Sequence, residues 1–418
     1  MDIPESRLLR GRVACRSCGA GLHPFVDLGV SPLCESFLAP EQINAGEMFY
    51  PLHVKICSQC WLAQIGEFVA PDQIFSEYAY FSSYSTAWLE HARAFAHQAM
   101  ERFGLGQGSF VLELASNDGY LLRNFVERGI PCLGFEPARN VATIAQAVGI
   151  PTEVRFWDEP AGIELASREM CADLVVANNV LAQVPDINGF VAGISAVLKP
   201  QGVMSAEFPH LLRLLEGNQF DTIYHEHFSY FSLYSIEYLL KRWGLRVFDV
   251  EELWTHGGSL RVFACPLASA HCETGRVNLV REQERTHRLQ DTATYTAFGV
   301  RVVDTKWKLL AMLMELKRQG SRIAGYGAPG KGNTLLNYCG IRTDFLDFTV
   351  DRNPYKHGRS LPGSRIPVLP VERLLEARPD YVMILPWNLK EEIMTQLAEV
   401  QRWGGRFLIP IPEPTIVN

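Results

Sequence analysis

Two C-x-x-C pairs near the start of the chain, Cys15 with Cys18 and Cys57 with Cys60, have the residue type and spacing of metal ligands. Each pair can occupy two corners of a tetrahedral Zn²⁺ ion, so the two together predict a closed Cys₄ site. The gap between the pairs is longer than in a compact zinc ribbon, and the alternative is a redox dithiol, which usually has one pair beside a βαβ unit. A closed site leaves no open coordination position, so we predict structural zinc without a part in catalysis. The other six cysteines follow no spacing rule and are interpreted as small core residues: Cys34, Cys132, Cys171, Cys265, Cys272 and Cys339.

A histidine–glutamate–histidine triplet lies within FDTIYHEHFSYFS, residues 220–232. Its spacing differs from the i, i+4 pair of histidines that binds zinc on a metalloprotease helix. In an extended segment, His225 and His227 would point to one side and Glu226 to the other. On the residues alone, three interpretations stay open: a metal site, a catalytic base with an orienting partner, or a polar interruption in a packed core.

The segment VLELASNDGYLLR, residues 111–123, has the pattern of a strand, a turn of small residues and a helix that begins near Gly119. Small residues allow a nucleotide to approach the backbone, and a helix N-terminus attracts negative charge. About 20 residues further on, an acidic side chain ends the next strand, where it can accept hydrogen bonds from ribose hydroxyls. Two glycines of the usual pattern are replaced by alanine and asparagine, but an Asn-Asn turn after a later strand supports a nucleotide site. The candidate residues are Glu113, Ala115, Asn117, Gly119, Glu136 and Asn178.

A second glycine-rich turn occurs in GYGAPGKGNTLLNYCG, residues 325–340. Gly325, Gly327 and Gly330 form G-x-G-x-x-G between a predicted strand and a predicted helix, and Asp351 ends the following strand. This is the pattern of a dinucleotide-binding fingerprint. Lys331 could meet a phosphate group. Taken alone, the segment favours an NAD(P)-dependent oxidoreductase.

The elements that must position these residues form two stretches of alternating strands and helices. From residue 110 the alternation predicts a doubly wound parallel sheet, an α/β fold, and after residue 320 a second and smaller α/β unit follows. Apolar residues three and four apart predict an amphipathic helix from residue 86 to Gly104, and residues 287–319 are expected to form one long helix. The first 72 residues have only short strand-like runs and are expected to need a stabilising metal.

Length, charge and hydropathy narrow the possible functions. A chain of 418 residues predicts two to four domains. The net charge of −7 argues against a broad grip on nucleic-acid phosphates. The sequence contains no apolar run of the length that a membrane-spanning helix needs, and its first residues lack the apolar segment of a signal peptide. We therefore expect a cytoplasmic protein that binds neither nucleic acid nor membrane.

The C-x-x-C pairs, the turn SNDG, the segment YHEHFSYFS and the late GYGAPGKGNTLLNYCGI, in this order, resemble the sugar C-methyltransferases of deoxysugar biosynthesis. This family includes enzymes of the tetronitrose, novobiocin and mycarose pathways. The resemblance covers about residues 13–415. It implies a zinc-binding domain over 1–72, a class I S-adenosylmethionine (SAM) methyltransferase core over 73–268, and a Rossmann-like C-terminal domain over 269–418 that binds the sugar nucleotide instead of NAD.

The resemblance also implies a reaction on a nucleotide-linked, dTDP-type, 4-keto deoxysugar. A base removes the acidic hydrogen beside the carbonyl group, and the resulting enolate takes up the methyl group. The histidine of the family's E-H-F element maps to His227, with Glu226 and His225 as orienting or polarising groups. An ordinary histidine is half to mostly neutral at cellular pH and can act as this base. Tyr224 is expected beside it as a further catalytic group.

The sugar nucleotide is expected to contact residues from three parts of the chain. Two tyrosines of YAYFSSYS could hold the sugar or the enolate oxygen, although aromatic packing is an equal alternative. One family member has a histidine at the position of Gln183. Glutamine can act neither as a base nor as a cation. That departure argues against direct proton transfer by Gln183 and keeps a different acceptor open as an alternative. The candidates are Tyr78, Tyr80, Gln183, Gly327, Lys331, Asn333 and Asp351.

Three other functions compete with this prediction. One is the NAD(P)-dependent oxidoreductase, a second is a SAM-dependent methyltransferase acting on a non-sugar acceptor, and a third is a zinc-stabilised binding module that has lost catalysis. The expected ligands are SAM, a structural zinc ion and a nucleotide-diphosphate sugar, and the expected oligomeric state is a monomer.

Overall fold

The computed structural model describes residues 14–70, 74, 82–84 and 86–418. Internal packing divides the chain into two units, each built from three segments. The first unit comprises Met1–Leu22, Cys57–His210 and Phe228–Gln290, and the second comprises His23–Ile56, Leu211–His227 and Asp291–Asn418. The division into three domains over residues 1–72, 73–268 and 269–418 stays a prediction. Within the described residues, no helix combines the length and the apolar character needed to cross a membrane.

The described chain contains seventeen strands and thirteen α-helices. The strands are β1 (Leu22–Ser31), β2 (Tyr50–Cys57), β3 (Ala63–Gln64), β4 (Val111–Leu114), β5 (Cys132–Phe135), β6 (Thr152–Glu153), β7 (Ala172–Asn178), β8 (Leu198–Pro209), β9 (Ser229–Tyr230), β10 (Leu245–Leu253), β11 (Ser259–Pro266), β12 (Ile323–Tyr326), β13 (Thr349–Val350), β14 (Val368–Leu369), β15 (Tyr381–Ile384), β16 (Arg406–Ile409) and β17 (Thr415–Val417). The helices are α1 (Thr86–Phe103), α2 (Arg123–Val126), α3 (Arg139–Ala147), α4 (Glu159–Ser167), α5 (Ile187–Val197), α6 (Leu211–Glu216), α7 (Leu233–Arg242), α8 (Gly275–Thr286), α9 (Thr292–Arg318), α10 (Gly330–Cys339), α11 (Glu372–Ala377), α12 (Lys390–Gln396) and α13 (Glu399–Arg402).

The first unit contains a seven-stranded sheet in the order β10-β11-β8-β7-β4-β5-β6. All strands are parallel except β11, which runs antiparallel to both of its neighbours. Strand β4 is buried along its whole length, as expected for a parallel strand covered on both faces. The strand order reverses between β4 and β7, and ligands of open α/β sheets bind at the carboxyl ends of the strands at such a point. The predicted doubly wound sheet is confirmed.

Helix α1 packs against this sheet through small and aromatic residues. Its buried residues, Ala92, Phe95, Ala96 and Ala99, recur at helical spacing and join the core beneath β4. The chain leaves the helix through Gly104 in a left-handed conformation, with φ +61°. This helix was predicted with the correct end. The helix after Gly119 is shorter than expected, because α2 begins only at Arg123 and turns precede it.

The second unit contains a six-stranded sheet in the order β14-β13-β12-β15-β16-β17. The first five strands are parallel, and β17 is antiparallel to β16. This is the second α/β unit that the sequence predicted. The long helix before it begins at Thr292 and not at residue 287, because the Asp291 side chain accepts the backbone N–H of Ala293 and caps a new helix.

Candidate functional site

The four cysteines of the two C-x-x-C pairs lie together in the first unit. Their sulfur atoms all lie within 4.8 Å of one another. The Cys15–Cys60 and Cys18–Cys57 sulfurs are 3.4 Å and 3.5 Å apart. Zn–S bonds of about 2.3 Å place tetrahedral sulfurs about 3.8 Å apart, so this donor set fits a Zn²⁺ ion. The hydrogen bond between the two sulfurs lowers the pKa of the Cys15 thiol to about 5 and raises the pKa of the Cys60 thiol, so the two sulfurs share one proton.

Local backbone structure brings each pair into ligand geometry. The N–H of Gly19 donates to the carbonyl of Cys15, and the N–H of Trp61 donates to the carbonyl of Cys57, so each pair sits on a tight turn. The side chain of Gln64 donates to the Cys15 sulfur at 3.2 Å and accepts the backbone N–H of Arg16 at 3.0 Å. These outer contacts orient the ligands from the far side.

The interpretation of the other six cysteines as core residues is only partly correct. Cys132, Cys265 and Cys339 are buried, but Cys272 is exposed and Cys171 is half-buried. The interpretation is wrong for Cys272. Cys34 is buried, yet its thiol makes a polar contact in the second unit.

In the first unit, the turn after β4 has a left-handed backbone at alternate residues. Ala115 has φ 57°, Asn117 has φ 51° and Gly119 has φ 77°. Asparagine tolerates this conformation, whereas alanine is strained there by about 1–2 kcal/mol. A Cβ atom on Gly119 would lie 2.7 Å from the side chain of Ile150. Ala115 and Asn117 therefore hold the backbone shape that glycines hold in the usual nucleotide-binding turn.

Glu136, at the end of β5, fixes this turn. Its carboxylate accepts the backbone N–H of Asn117 at 2.9 Å and that of Ala138 at 2.8 Å. Burial raises the pKa of Glu136, and the two backbone donors partly offset that effect. Each carboxylate oxygen keeps a further lone pair for a hydroxyl donor of a ligand.

Several buried polar atoms at the carboxyl ends of β4 and β7 have no hydrogen-bond partner in the described part of the chain. Such atoms usually cost about 1–3 kcal/mol each, so their concentration at one edge of the sheet indicates a ligand site. Burial, together with the charges of Glu136 and Asp118, raises the pKa of Glu113 well above its ordinary value. The atoms are Glu113 Oε2, Asp118 Oδ1, Asn178 Oδ1, and Nδ2 and Oδ1 of Asn179.

This set of donors and acceptors fits SAM. The Asp118 carboxylate suits a cationic ligand, as does Glu113 once a nearby cation lowers its pKa, and Glu136 suits a ribose. Gln183 lies half-buried in a 3₁₀ turn five residues after the end of β7. All six residues predicted for the nucleotide therefore belong to this unit and to the ends or turns of neighbouring strands.

Sequence reasoning missed a buried ionic cluster at the end of β8. Glu207 lies in register with Asn178 of β7 and accepts hydrogen bonds from His91 at 2.9 Å, Arg261 at 2.6 Å and Thr255 at 2.9 Å. Burial raises the pKa of Glu207, but the hydrogen bond of His91 and the charge of Arg261 outweigh it, so the pKa falls to about 2. The cluster ties α1 to the ligand-binding edge of the sheet. Its one signal in the sequence is a glutamate inside the apolar strand VMSAEFP.

In the second unit, the predicted catalytic triplet lies in a turn and not in an extended segment. The N–H of His227 donates to the carbonyl of Tyr224 at 3.0 Å, and the two rings are 4.2 Å apart between centroids, tilted by 34°. The alternation expected for an extended chain is therefore wrong. His225 is buried against Tyr50 and its ring contacts the carbonyl of Pro51, while His227 stays half-buried.

The surroundings of the two histidines differ accordingly. Burial lowers the pKa of His225 and holds it neutral. We interpret His225 as a packed side chain that stabilises the turn. The structure thus gives different environments to the two histidines, of which the family resemblance had selected His227 as the base. Tyr78 and Tyr80 lie outside the described residues.

The glycines of the second fingerprint are explained by packing within the second unit. A Cβ atom would lie 2.6 Å from Thr349 at Gly325, 2.5 Å from Pro386 at Gly327, and 2.9 Å from the Cys34 sulfur at Gly330. The Asp351 carboxylate accepts the backbone N–H groups of Ala328 at 2.7 Å and Asn353 at 2.8 Å. These contacts account for the fingerprint without a dinucleotide.

Lys331, which is half-buried, and Asn333, which is buried, lie in the first turn of helix α10. The ammonium group of Lys331 donates to Asn388 at 2.8 Å and lies 4.8 Å from the centre of the Trp387 ring. Burial lowers the pKa of Lys331, and the charge of Asp221 partly offsets this. Neither amide atom of Asn333 finds a hydrogen-bond partner among the residues that the structure describes. The pair could serve an anionic, hydrogen-bonding ligand.

Comparison with known proteins agrees with this arrangement. Three family models match: a zinc binding domain over residues 15–75, a methyltransferase domain over 88–250, and a C-methyltransferase C-terminal domain over 254–412. C-methyltransferase NovU from Streptomyces niveus is 38% identical over 405 residues, which are 97% of this chain and 96% of that protein.

Solved methyltransferase structures resemble less than half of the chain. A SAM-dependent methyltransferase from Mesorhizobium loti is 16% identical, with 42% of this chain and 99% of that chain covered and a TM-score of 0.34. Magnesium protoporphyrin IX methyltransferase from Synechocystis PCC 6803 is 13% identical, with 42% and 78% covered and a TM-score of 0.32.

The seven-stranded sheet and the matched methyltransferase domain define a class I SAM-dependent methyltransferase. The second fingerprint lies inside the C-methyltransferase C-terminal domain, so the oxidoreductase alternative loses its support. The chain belongs to the C-methyltransferases that combine this core with a zinc-binding domain and that C-terminal domain. The resemblance, the enzyme class, SAM and zinc predicted from the sequence are confirmed.

Proposed function

We propose that this enzyme methylates the carbon beside the ketone of a nucleotide-linked 4-keto deoxysugar, of the dTDP type, with His227 as the base. The observation that carries the proposal is the close contact between the Tyr224 and His227 rings, in which the imidazole is half-buried and so can reach a substrate. The similarity to a curated C-methyltransferase along 97% of the chain supports transfer to carbon.

The chain's own residues have distinct tasks in this reaction. His227 takes the proton when the C–H bond beside the carbonyl breaks, and the electron pair moves into the enolate. The hydroxyl of Tyr224 stabilises the enolate oxygen, and Glu226 orients the sugar or the imidazole. The residues after β4 would hold SAM, which would supply an electrophilic methyl group: its S–CH₃ bond would break as the methyl group bonds to the enolate carbon, and S-adenosylhomocysteine would leave. Tyr78, Tyr80 and Gln183 complete the proposed acceptor site.

We assign the remaining candidates to two ligands. Glu113, Ala115, Asn117, Gly119, Glu136 and Asn178 are proposed to hold the methyl donor. Gly327, Lys331, Asn333 and Asp351 are proposed to hold the sugar nucleotide, because the half-buried lysine suits a diphosphate and the unpartnered amide of Asn333 suits a base or sugar. We further propose that the enzyme is cytoplasmic, since its ten cysteines are all free and thiols stay reduced in that compartment, and that it is a monomer.

Exchange of the α-hydrogen tests the base without methyl transfer. The protein is incubated with a dTDP-4-keto sugar in heavy water without SAM, and deuterium uptake is followed by mass spectrometry. His227→Asn keeps a hydrogen-bonding side chain but cannot accept the proton, so exchange should slow about 10²- to 10⁴-fold. The exposed His53, on β2, serves as control, and His53→Gln should exchange at the wild-type rate. Equal rates in wild type and His227→Asn would contradict the assignment.

A further inference from the structure

Cys34 is the cysteine of the second unit whose side chain lies next to the proposed catalytic turn. It follows β1, is 3% exposed, and its sulfur lies 3.3 Å from Oε1 of Glu226. Glu226 is itself 5% exposed. A buried carboxylate loses the water that would otherwise orient it, so a fixed hydrogen-bond donor decides which way it points.

The environment keeps this thiol a donor. Burial, and then the negative charges of Glu226 and Glu35, raise the pKa of Cys34 well above its ordinary value. The protonated sulfur therefore faces the carboxylate as an S–H group, and a thiolate there would repel it.

The glycine-rich turn of the same unit is shaped around this contact. A Cβ atom on Gly330 would lie 2.9 Å from the Cys34 sulfur and 3.8 Å from Cζ of Tyr224. The first residue of α10 therefore approaches both the thiol and the tyrosine whose ring contacts that of His227. Cys34 thus connects the start of α10 with the turn that carries the proposed base.

We propose that Cys34 is a positioning residue for the methyl-transfer reaction, whose thiol fixes the Glu226 carboxylate beside the Tyr224–His227 pair. The inference rests on the proposed function, because Glu226 matters for the rate only if this turn carries the base. The thiol forms and breaks no bond in the reaction. Serine should substitute for it, since its hydroxyl is also a small donor, whereas alanine should not.

A double-mutant cycle tests the positioning role. Cys34→Ala should lower the kcat of α-hydrogen exchange about tenfold with little change in KM, and Cys34→Ser should recover most of the loss. In a Glu226→Ala background, Cys34→Ala should cost less than twofold, because the partner that it orients is gone. The matched control is Cys339→Ala, since Cys339 is also 3% exposed, lies in the same unit and should leave the rate unchanged.

An infrared measurement separates failure of this inference from failure of the proposed function. The S–H stretching band of Cys34, identified by subtraction of the Cys34→Ser spectrum, should shift when Glu226 is replaced by alanine. A band that does not shift overturns the hydrogen bond, and an equal loss of rate in both backgrounds of the cycle overturns the positioning role. If the wild-type protein exchanges no α-hydrogen from any 4-keto sugar nucleotide, the proposed function is wrong. The catalytic part of the inference is then also wrong, whatever the infrared spectra show.

Discussion

The two glycine-rich turns of this enzyme occupy equivalent positions in their sheets, but their glycines serve different purposes. Each follows a strand at the centre of a parallel sheet, and an acidic residue at the end of the next strand accepts a backbone N–H of the turn. Glu136 does so at 2.9 Å from Asn117, and Asp351 at 2.7 Å from Ala328. The turn with the perfect G-x-G-x-x-G pattern belongs to the C-methyltransferase C-terminal domain, whereas the degenerate one belongs to the methyltransferase domain.

The difference lies in what each glycine does. In the first turn, positive φ angles recur at Ala115, Asn117 and Gly119, so the backbone shape survives the loss of two glycines. In the second turn, only Gly327 among the three fingerprint glycines has a positive φ, and the others are required by close packing. A pattern of glycines therefore indicates that some group closely approaches the backbone. That group can be a neighbouring side chain as well as a cofactor.

The largest expected effect comes from filling the space beside the glycines. In Gly119→Ala, the added methyl group would meet Ile150 at 2.7 Å in addition to the strain of φ +77°, so affinity for S-adenosylhomocysteine should fall more than about 100-fold by calorimetry. Gly104→Ala is the control, because its φ of +61° causes similar strain but nothing lies within 4 Å. If Gly119→Ala binds S-adenosylhomocysteine as tightly as Gly104→Ala does, the packing of Gly119 against Ile150 does not control affinity for this ligand.

Gly327→Ala extends this test to the second turn. Its methyl group would lie 2.5 Å from the rigid ring of Pro386, at φ +88°. We expect binding of dTDP to be lost and binding of S-adenosylhomocysteine to be retained. Thermal shift with each ligand measures both, since saturation at 100 times Kd stabilises a protein by about 2.7 kcal/mol. Loss of S-adenosylhomocysteine binding in Gly327→Ala would contradict separate ligands for the two turns.

Much of this architecture follows from local sequence, and the parts that do not are long-range contacts. The C-x-x-C spacing and the order of strands and helices identified the zinc ligands and the sheet. In contrast, Glu207 pairs with His91 across 116 positions and Cys34 meets Glu226 across 192 positions. No local pattern marks such partners, because strand order and burial bring them together. The distinct environments of His225 and His227 likewise depend on a turn that residue types alone did not predict.

Replacing Glu136 or Asp351 by its amide should have an intermediate effect on ligand affinity. Each replacement should weaken binding of a different ligand. Glu136→Gln loses the charge and one acceptor, so affinity for S-adenosylhomocysteine should fall about tenfold, or about 1.4 kcal/mol, with dTDP affinity unchanged. Asp351→Asn should show the reverse. Calorimetric titration of both variants with both ligands gives the four values. A loss of both ligands in either variant would show that the carboxylates act through general stability.

The smallest effect concerns stability against pH and the unusual burial of Glu113. Its folded pKa is raised above the ordinary 4.5, so its stabilising contribution is complete below about pH 4.5 and is lost as pH rises through the folded value. Glu113→Gln cannot ionise and so avoids this loss of stability. Without SAM, the variant should therefore melt about 2–4 °C above wild type at pH 8 and close to wild type at pH 5. Glu127→Gln, at an exposed position of the same unit, should show no such difference.

Glu113→Gln should also bind S-adenosylhomocysteine more weakly than wild type, because a carboxylate that destabilises the empty protein is retained for its ligand. A melting difference that does not grow with pH would mean that Glu113 is ionised and already paired in the empty site.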